Sequence, residues 1–317
     1  MHLSVMLRET VDALAVVPGG CYIDGTLGGA GHAAEILRRA GPNGRLLGID
    51  RDPEALERSA ARLAEVPGEK TLAHGTHGEI RRLAEAHGFG AVDGILLDLG
   101  VSSDQLDTAG RGFSFRLDGP LDMRMDPTRG ESAAELIARL EATEMADLFR
   151  RLGEEPQARR IAQAIARARD RQPIGTTARL AEVVLAALGG RTGPRHPATR
   201  VFQALRMAVN AEMENLERAV EDGLSLLKPG GRMAVITFES LTDRLVKQRF
   251  AAHAGKWVSL QAGGERWEGE LPAVVRVTRH PVEPGPDEVA ENPRARSAKL
   301  RAVSRCEAPE RRKTDEF

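Results

Sequence analysis

Residues 94–105, Gly-Ile-Leu-Leu-Asp-Leu-Gly-Val-Ser-Ser-Asp-Gln, run a short apolar stretch into an acid at Asp98 and then into a loop of small polar residues. Such a run is how a parallel strand buried on both faces reads, and the carboxyl end of that strand is where an α/β sheet presents its chemistry. Two upstream stretches repeat the arrangement. They are Tyr22-Ile-Asp-Gly-Thr-Leu-Gly-Gly-Ala-Gly-His32, with Asp24 at the strand end, and Arg45-Leu-Leu-Gly-Ile-Asp50. Strands ending in aspartate three times over describe a site for a nucleoside-containing ligand.

Working outward, strands are predicted at 21–24, 45–50, 70–74 and 94–99, with helices at 33–40 and 53–63, the second capped by Asp52 with Pro53 in its first turn. This alternation predicts a parallel sheet covered by helices. The rhythm breaks after the fourth strand. Residues 104–198 carry no strand signal but predict helices at 131–139, 143–151, 156–170 and 176–188. A long helix is then expected from 199 to about 227, followed by the turn Lys228-Pro-Gly-Gly231 and a strand at 232–238. Further on, a helix is expected at 240–252 and strands at 257–261 and 273–279. The organisation is therefore an α/β core, 1–103 and 199–317, interrupted by an all-helical insertion at 104–198.

Composition narrows the class. A chain of 317 residues with 41% apolar content can bury one large core plus an insertion. Cys21 and Cys306 are the two cysteines, at a spacing that matches neither a disulfide framework nor a zinc motif, and no signal-peptide pattern or membrane-length apolar run occurs. A cytoplasmic setting without membrane contact is expected. The net charge of −1 hides local asymmetry: residues 150–200 hold eleven arginines against four acids, and residues 294–313 hold eight basic residues against two acids. Either segment alone reads as a solvated face, but beside a nucleotide-type core the pair favours a polyanionic partner. The last eleven residues, 307–317, read as a frayed end.

The glycines at 25, 28, 29 and 31 let the backbone approach a ligand, and the free amides of the helix that follows can hold an anionic group. An ordinary strand-to-helix turn would look similar. Asp50, about 20 residues on, adds a carboxylate placed to accept ribose hydroxyls. Asp24 directly before the glycines would repel a pyrophosphate but can accept a positively charged amine, which favours S-adenosylmethionine over a dinucleotide. Asp98 and Gln105 then come from the fourth strand and its loop, beside the reacting methyl; Asp98 as a loop cap is the plainer alternative. In the long helix, Leu205, Val209, Leu216 and Val220 share one face, while Gln203, Arg206 and Asn210 form a polar stripe able to line a cleft or simply face water. Phe113 and Phe115, among arginines at 111–116, can stack on an unpaired base or pack the insertion.

These stretches resemble a known family, the bacterial 16S ribosomal RNA cytosine-N4 methyltransferases. The resemblance rests on Tyr-Ile-Asp-Gly-Thr at 22–26, Gly-Ile-Asp-Arg-Asp-Pro at 48–53, residues 94–103, Arg-Gly-Phe-Ser-Phe at 111–115 and Gly-Pro-Leu-Asp-Met-Arg-Met-Asp-Pro-Thr-Arg-Gly at 119–130. It extends to His-Pro-Ala-Thr-Arg at 196–200 and the run at 291–301. The resemblance implies a class I (Rossmann-like) S-adenosylmethionine methyltransferase sheet with an inserted helical domain for substrate recognition. It also implies cofactor contacts at Ala30, Gly31, His32, Asp50, His77, Asp98 and Gln105, to which the reading of the residues adds Asp24. The implied partner is 16S ribosomal RNA, within the assembled small subunit, and the implied assembly a homodimer.

Two departures stand out. His77 replaces a phenylalanine common in the family, and Phe238-Glu-Ser-Leu-Thr-Asp-Arg244 replaces Phe-His-Ser-Leu-Glu-Asp-Arg. Glu239 can keep a hydrogen bond but not the proton chemistry of an imidazole. The reaction implied is attack of the cytosine exocyclic nitrogen on the sulfonium methyl, catalysed mostly by positioning and needing no metal. Asp98 is the first candidate to orient that amine, with Ser102 and neighbouring Ser103 nearby and Asn210 as an outsider. Competing readings are a dehydrogenase using Gly29, Gly31 and Asp50, a methyltransferase for another substrate, and a cofactor- and RNA-binding homologue without turnover.

Overall fold

The computed structural model describes residues 4–190, 196–261 and 263–306. Two compact units emerge: Met1–Gly100 with Glu214–Phe317, and Val101–Met213.

The first unit is built on β1 (Cys21–Asp24), β2 (Arg45–Asp50), β3 (Glu69–His74), β4 (Val92–Asp98), β5 (Leu227–Thr237), β6 (Lys256–Ser259), β7 (Glu265–Glu268), β8 (Val274–Arg276) and β9 (Lys299–Arg305). Seven of these form one sheet in the order β3-β2-β1-β4-β5-β9-β8. Strands β1 to β5 are parallel, and β9 and β8 add antiparallel at one side. Because side chains alternate along a strand, each parallel strand feeds two cores. Ile23, Leu47, Ile49, Ile95, Leu97 and Val235 point to one face, and Tyr22, Leu46, Leu96, Ala234 and Ile236 to the other. The first face is covered by α4 (Ile80–Ala86), α11 (Glu212–Leu226) and α12 (Ser240–His253), the second by α1 (Leu7–Leu14) and α2 (Gly31–Ala40). Helix α3 (Pro53–Leu63) starts as expected: the Asp52 carboxylate accepts the Glu54 N–H at 3.1 Å and Pro53 occupies the first turn. A short α13 (Pro286–Glu291) precedes the last strand.

The second unit is helical throughout: α5 (Ser103–Asp107), α6 (Ala133–Arg139), α7 (Ala142–Gly153), α8 (Ala158–Arg169), α9 (Thr177–Ala187) and α10 (Ala198–Val209). It has its own core, in which Phe149, Ile161, Ile165, Leu180, Val184, Val201 and Leu205 are fully buried. Phe113 belongs to that core at 7% exposure, and Phe115 packs edge-on to Phe202 and against His196. The packing reading of the two phenylalanines is therefore the one the structure supports.

Several expectations need correction. The long helix over 199–227 is two helices, because Ala211 takes a left-handed backbone (φ 47°) between α10 and α11. The helical unit accordingly extends to residue 213 rather than 198, since the apolar face of α10 is part of its core. Leu205 and Val209 pack in the core of the helical unit, and Leu216 and Val220 in a core of the sheet unit. Lys228–Gly231 is a bulge within β5, where the register jumps from Val92↔Leu227 to Gly94↔Arg232. Strand β7, unforeseen, pairs with β6. The basic segment after 294 is largely β9: Arg301 is tied to Asp243 at 2.7 and 3.0 Å, and Arg305 donates to the Ser225 carbonyl at 2.8 Å. Those two side chains are committed to protein partners, whereas Arg294 and Arg296 are exposed; Arg311, Arg312 and Lys313 fall in 307–317, outside the described residues. Among the described residues no helix is long and apolar enough to cross a membrane.

Candidate functional site

Parallel pairing aligns the carboxyl ends of β1, β2 and β4, so Asp24, Asp50 and Asp98 arrive at one edge of the sheet. Short backbone links bind these ends together. The Gly25 N–H donates to the Leu96 carbonyl (2.9 Å), the Leu27 N–H to the Ile49 carbonyl (3.0 Å), and the Asp98 N–H to Thr26 Oγ1 (2.6 Å). Thr26 was missed from the sequence, although its place two residues after Asp24 was a usable signal. The Asp24 carboxylate accepts the Thr26 N–H at 3.1 Å and is itself 1% exposed.

Residues 25–31 form the turn from β1 into α2. Gly28 (φ 51°) takes the left-handed region, which aims its N–H at Asp50 Oδ2, 2.7 Å away. Ala30 adopts the same region (φ 56°) without a glycine's freedom and serves as the N-cap of α2 with no side-chain cap bond. A Cβ on Gly31 would lie 1.8 Å from Ser4 Oγ, so a side chain here would have to displace the Ser4 hydroxyl. From the far side Ser59 Oγ donates to the Gly28 carbonyl (2.7 Å) and Arg62 to the Gly29 carbonyl (2.8 Å), holding the turn rigid. Asp50 also accepts the Asp52 N–H at 2.9 Å, which fixes its carboxylate without using all its lone pairs.

The electrostatics are unusual in having carboxylates without cations. Among the described residues neither Asp24 nor Asp98 meets a lysine or arginine; the nearest basic group to Asp98 is His32, whose Nδ1 stands 3.7 Å from Oδ2. Burial, opposed in part by the Thr26 hydrogen bonds, pushes the Asp24 carboxyl up to about 7. Burial and the Asp24 charge push Asp98 up to about 8. Asp98 nonetheless keeps a quarter of its side chain exposed, so it is surrounded by protein yet reachable. Asp50 is raised by burial, with the Gly28 and Asp52 amides pulling the other way. His32 is held by its Nε2 at 3.0 Å from the Val5 carbonyl.

His77 follows β3 in a 3-10 turn, and a Cβ built on Gly25 would touch its Cβ at 3.4 Å. Burial, then the charges of Arg51 and Arg218, lower its ring to about 3, so it is a neutral aromatic ring at any physiological pH. Its Nε2 is buried with no hydrogen-bond partner. A neutral imidazole presents a stacking face as phenylalanine does, with one polar edge in addition, so the departure at His77 is a mild one.

The remaining predicted residues sit in the helical unit. Ser102 and Gln105 form a reciprocal cap on α5: the Ser102 hydroxyl accepts the Gln105 N–H and the Gln105 carboxamide oxygen accepts the Ser102 N–H, each at 3.1 Å. Asn210 corrects the expectation of a role at the reacting amine. Its oxygen accepts the Met125 N–H (2.9 Å), and its amide protons go to the carbonyls of Met123 (2.8 Å) and Arg206 (2.9 Å), so it is a buried clamp. Arg206 is likewise internal, paired bidentately with Glu212 at 2.7 and 2.9 Å, and Gln203 donates to the Leu152 carbonyl. The polar stripe holds the end of α10 together. Glu239 is the N-cap of α12, and Thr242 Oγ1 donates to its carbonyl at 3.0 Å, so both departures at 239–242 lie in the first turn of that helix.

A nucleoside-bearing cation fits this site on three observations: two buried carboxylates without a cation, an orphaned ring nitrogen at His77, and an uncapped helix start after a rigid glycine turn. Comparison with known proteins agrees. A protein named ribosomal RNA small subunit methyltransferase H from Symbiobacterium thermophilum is 50% identical over 98% of this chain and 99% of its own length. Like-named proteins from Thermomicrobium roseum (48%; 96% of this chain, 93% of theirs) and Xanthobacter autotrophicus (50%; 97% and 88%) are similar across the same span. The model of the MraW methylase family matches residues 1–306, and the chain belongs to that family.

Proposed function

We propose that this protein transfers a methyl group from S-adenosylmethionine to the exocyclic N4 of a cytidine in the decoding region of 16S ribosomal RNA. The observation that carries the reading is the pair of Asp24, buried, and Asp98, partly exposed, raised to about 7 and about 8 and, among the described residues, lacking any basic partner beyond His32. Such a pair suits a ligand that brings positive charge, and a methylase needs a cationic methyl donor. When bound, S-adenosylmethionine supplies an electrophilic methyl group on a sulfonium.

The chain's own residues then divide the work. Asp50 has lone pairs left to accept the ribose hydroxyls. Asp24, the more deeply buried acid, pairs with the ammonium of the methionyl part. The neutral ring of His77 packs on the adenine and offers Nε2 as a polar contact. Asp98, the reachable acid, accepts a hydrogen bond from the cytosine amine, orienting the nitrogen. A nearby cation lowers its pKa, so it enters the reaction as carboxylate and takes the proton that the methylated nitrogen sheds. Relatives named for small-subunit RNA support the substrate class. The exposed face of α8 supports a polyanion: Arg159, Arg160 and Arg167 all point to solvent there. The same reading takes the assembled small subunit as substrate and, from the resemblance, a homodimer as the working form.

The test is nucleoside mass spectrometry of 16S RNA from small subunits lacking the modification, incubated with the protein and methyl-deuterated S-adenosylmethionine. Labelled N4-methylcytidine at one site is expected. Cofactor binding without label would favour the second reading, a homologue that binds without turnover, to which Glu239 and Thr242 at the start of α12 point.

A further inference from the structure

Far along the chain from the strand-end aspartates, three side chains converge where α11, α12 and the segment after β7 meet. His253, the last residue of α12, is 1% exposed, and its Nε2 lies 2.7 Å from Glu221 Oε2 and 3.5 Å from Glu270 Oε2. Its other nitrogen, Nδ1, stands 3.0 Å from the Pro272 carbonyl oxygen. The backbone anchors the third member, since the Glu270 N–H donates to the Ala252 carbonyl at 3.1 Å. One nitrogen and two carboxylate oxygens of these residues all lie within 4.8 Å of one another.

Both ring nitrogens of His253 thus face acceptors only. The Pro272 carbonyl can only accept, so Nδ1 carries a proton, and Nε2 is the nitrogen turned on the two carboxylates. Nε2 and a carboxylate oxygen 2.7 Å apart need a positive charge to share, met by a proton on Nε2 or, with the side chains parted to ligand distance, by a metal ion. The local charges leave the same deficit. Glu217, Glu221 and Glu270 carry three negative charges, and the one guanidinium among them, Arg249, answers one; it pairs with Glu217 and stands 3.6 Å from Glu221 and 4.0 Å from Glu270. That leaves more carboxylate than guanidinium at these four side chains. Glu221 Oε1 is in addition buried with no hydrogen-bond partner.

We infer that Glu221, His253 and Glu270 form a binding site for a divalent transition-metal cation of the zinc class. An imidazole nitrogen and carboxylate oxygens are donors that a zinc-class ion accepts, and three of them leave a fourth position for water. The hydrogen bond from Nδ1–H to a backbone carbonyl is the outer contact that orients a metal-bound histidine and selects its Nε2 as ligand. The site contains no group assigned to methyl transfer, so its role is to tie the end of α12 to α11 and to the segment around Glu270.

Full-length protein stripped with chelator is titrated with zinc chloride by calorimetry, and separately with cobalt chloride by visible absorption. The expected result is one zinc per chain, a cobalt spectrum of tetrahedral intensity, and a rise in melting temperature with zinc. Glu270→Gln, whose side chain is half exposed and therefore safe for folding, weakens zinc binding at least about tenfold and removes the rise in melting temperature. Glu221→Gln does the same, while Glu283→Gln, an exposed acid elsewhere, leaves both unchanged. No stoichiometric zinc on the native chain, or zinc bound as tightly by Glu270→Gln as by the native chain, overturns the assignment.

Discussion

His32 Nδ1 and Asp98 Oδ2 face each other at 3.7 Å with the opposite side of the imidazole held against the Val5 carbonyl. The ring is thereby fixed, and among the described residues it is the one basic group paired with a carboxyl that desolvation pushes up to about 8. Asp98 is consequently a proton-bearing acid in the free protein at neutral pH and becomes a carboxylate when positive charge arrives.

The first prediction concerns that coupling. Between its ordinary value of 3.8 and about 8, the folded chain holds a proton on Asp98 that the unfolded chain has released. This group therefore lowers stability as pH rises through that window, and its contribution levels off above about 8. Asp98→Asn removes the effect, so the variant should melt above the native chain by a margin that grows from pH 5 to 8. Calorimetry of S-adenosylmethionine binding over the same range should show affinity climbing with pH for the native chain and less steeply for the variant, in which Asp24 still titrates near 7. An unchanged slope in Asp98→Asn would exclude Asp98 as the group responsible.

Asp50 should separate binding from folding. Asp50→Asn keeps an oxygen for one of the two backbone amides but loses charge-assisted bonds of about 1.5–3 kcal/mol each. Affinity for S-adenosylmethionine and S-adenosylhomocysteine should both fall by about tenfold or more, since the ribose is common to both. Equal affinities in variant and native chain would show that the second strand end does not touch the ligand.

His77→Phe should be tolerated. The native ring is neutral down to about pH 3 and leaves a buried Nε2 unpaired, so phenylalanine relieves a cost of about 1–3 kcal/mol in the ligand-free chain. The lowered histidine also makes the native chain lose stability as pH falls from 6.5 toward 3, and the variant should lose that part of its acid sensitivity. Denaturant titrations at pH 4.5 and 7.5 measure both effects.

Arg159, Arg160 and Arg167 on α8 are exposed and should meet phosphate. Replacing all three by alanine should weaken RNA binding and lower the slope of log affinity against log salt by about 2, with cofactor affinity unchanged. Filter binding at several salt concentrations decides this. An unaltered slope would place the RNA on another surface.

Asn210→Ala should damage the fold of the helical unit. It leaves the Met125 N–H and the Met123 carbonyl buried without the partners they now have, at about 1–3 kcal/mol apiece. A urea midpoint lowered accordingly, with native activity per folded molecule retained, is the expected outcome. Activity lost without loss of stability would return Asn210 to the reacting centre.

Apolar runs ending in Asp24, Asp50 and Asp98 sufficed to place three parallel strands with their acidic ends side by side, because period and strand-end chemistry are local properties of a chain. The cap at Asp52 and Pro53 was legible for the same reason. What eluded such reading depends on partners distant in sequence. Nothing near Asn210 announces that its carboxamide will be claimed by residues 123 and 125, nor that Ala211 will take a left-handed backbone and break the helix there. The basic run after 294 reads as a tail until Arg301 finds Asp243 and the strand docks on β5. Burial also set the charge states: Asp98 and His77 are shifted in opposite directions by the same desolvation, which disfavours whichever form is charged. Local pattern can say which residues arrive at a site, but only the folded surroundings decide their protonation and which of their hydrogen bonds are already committed.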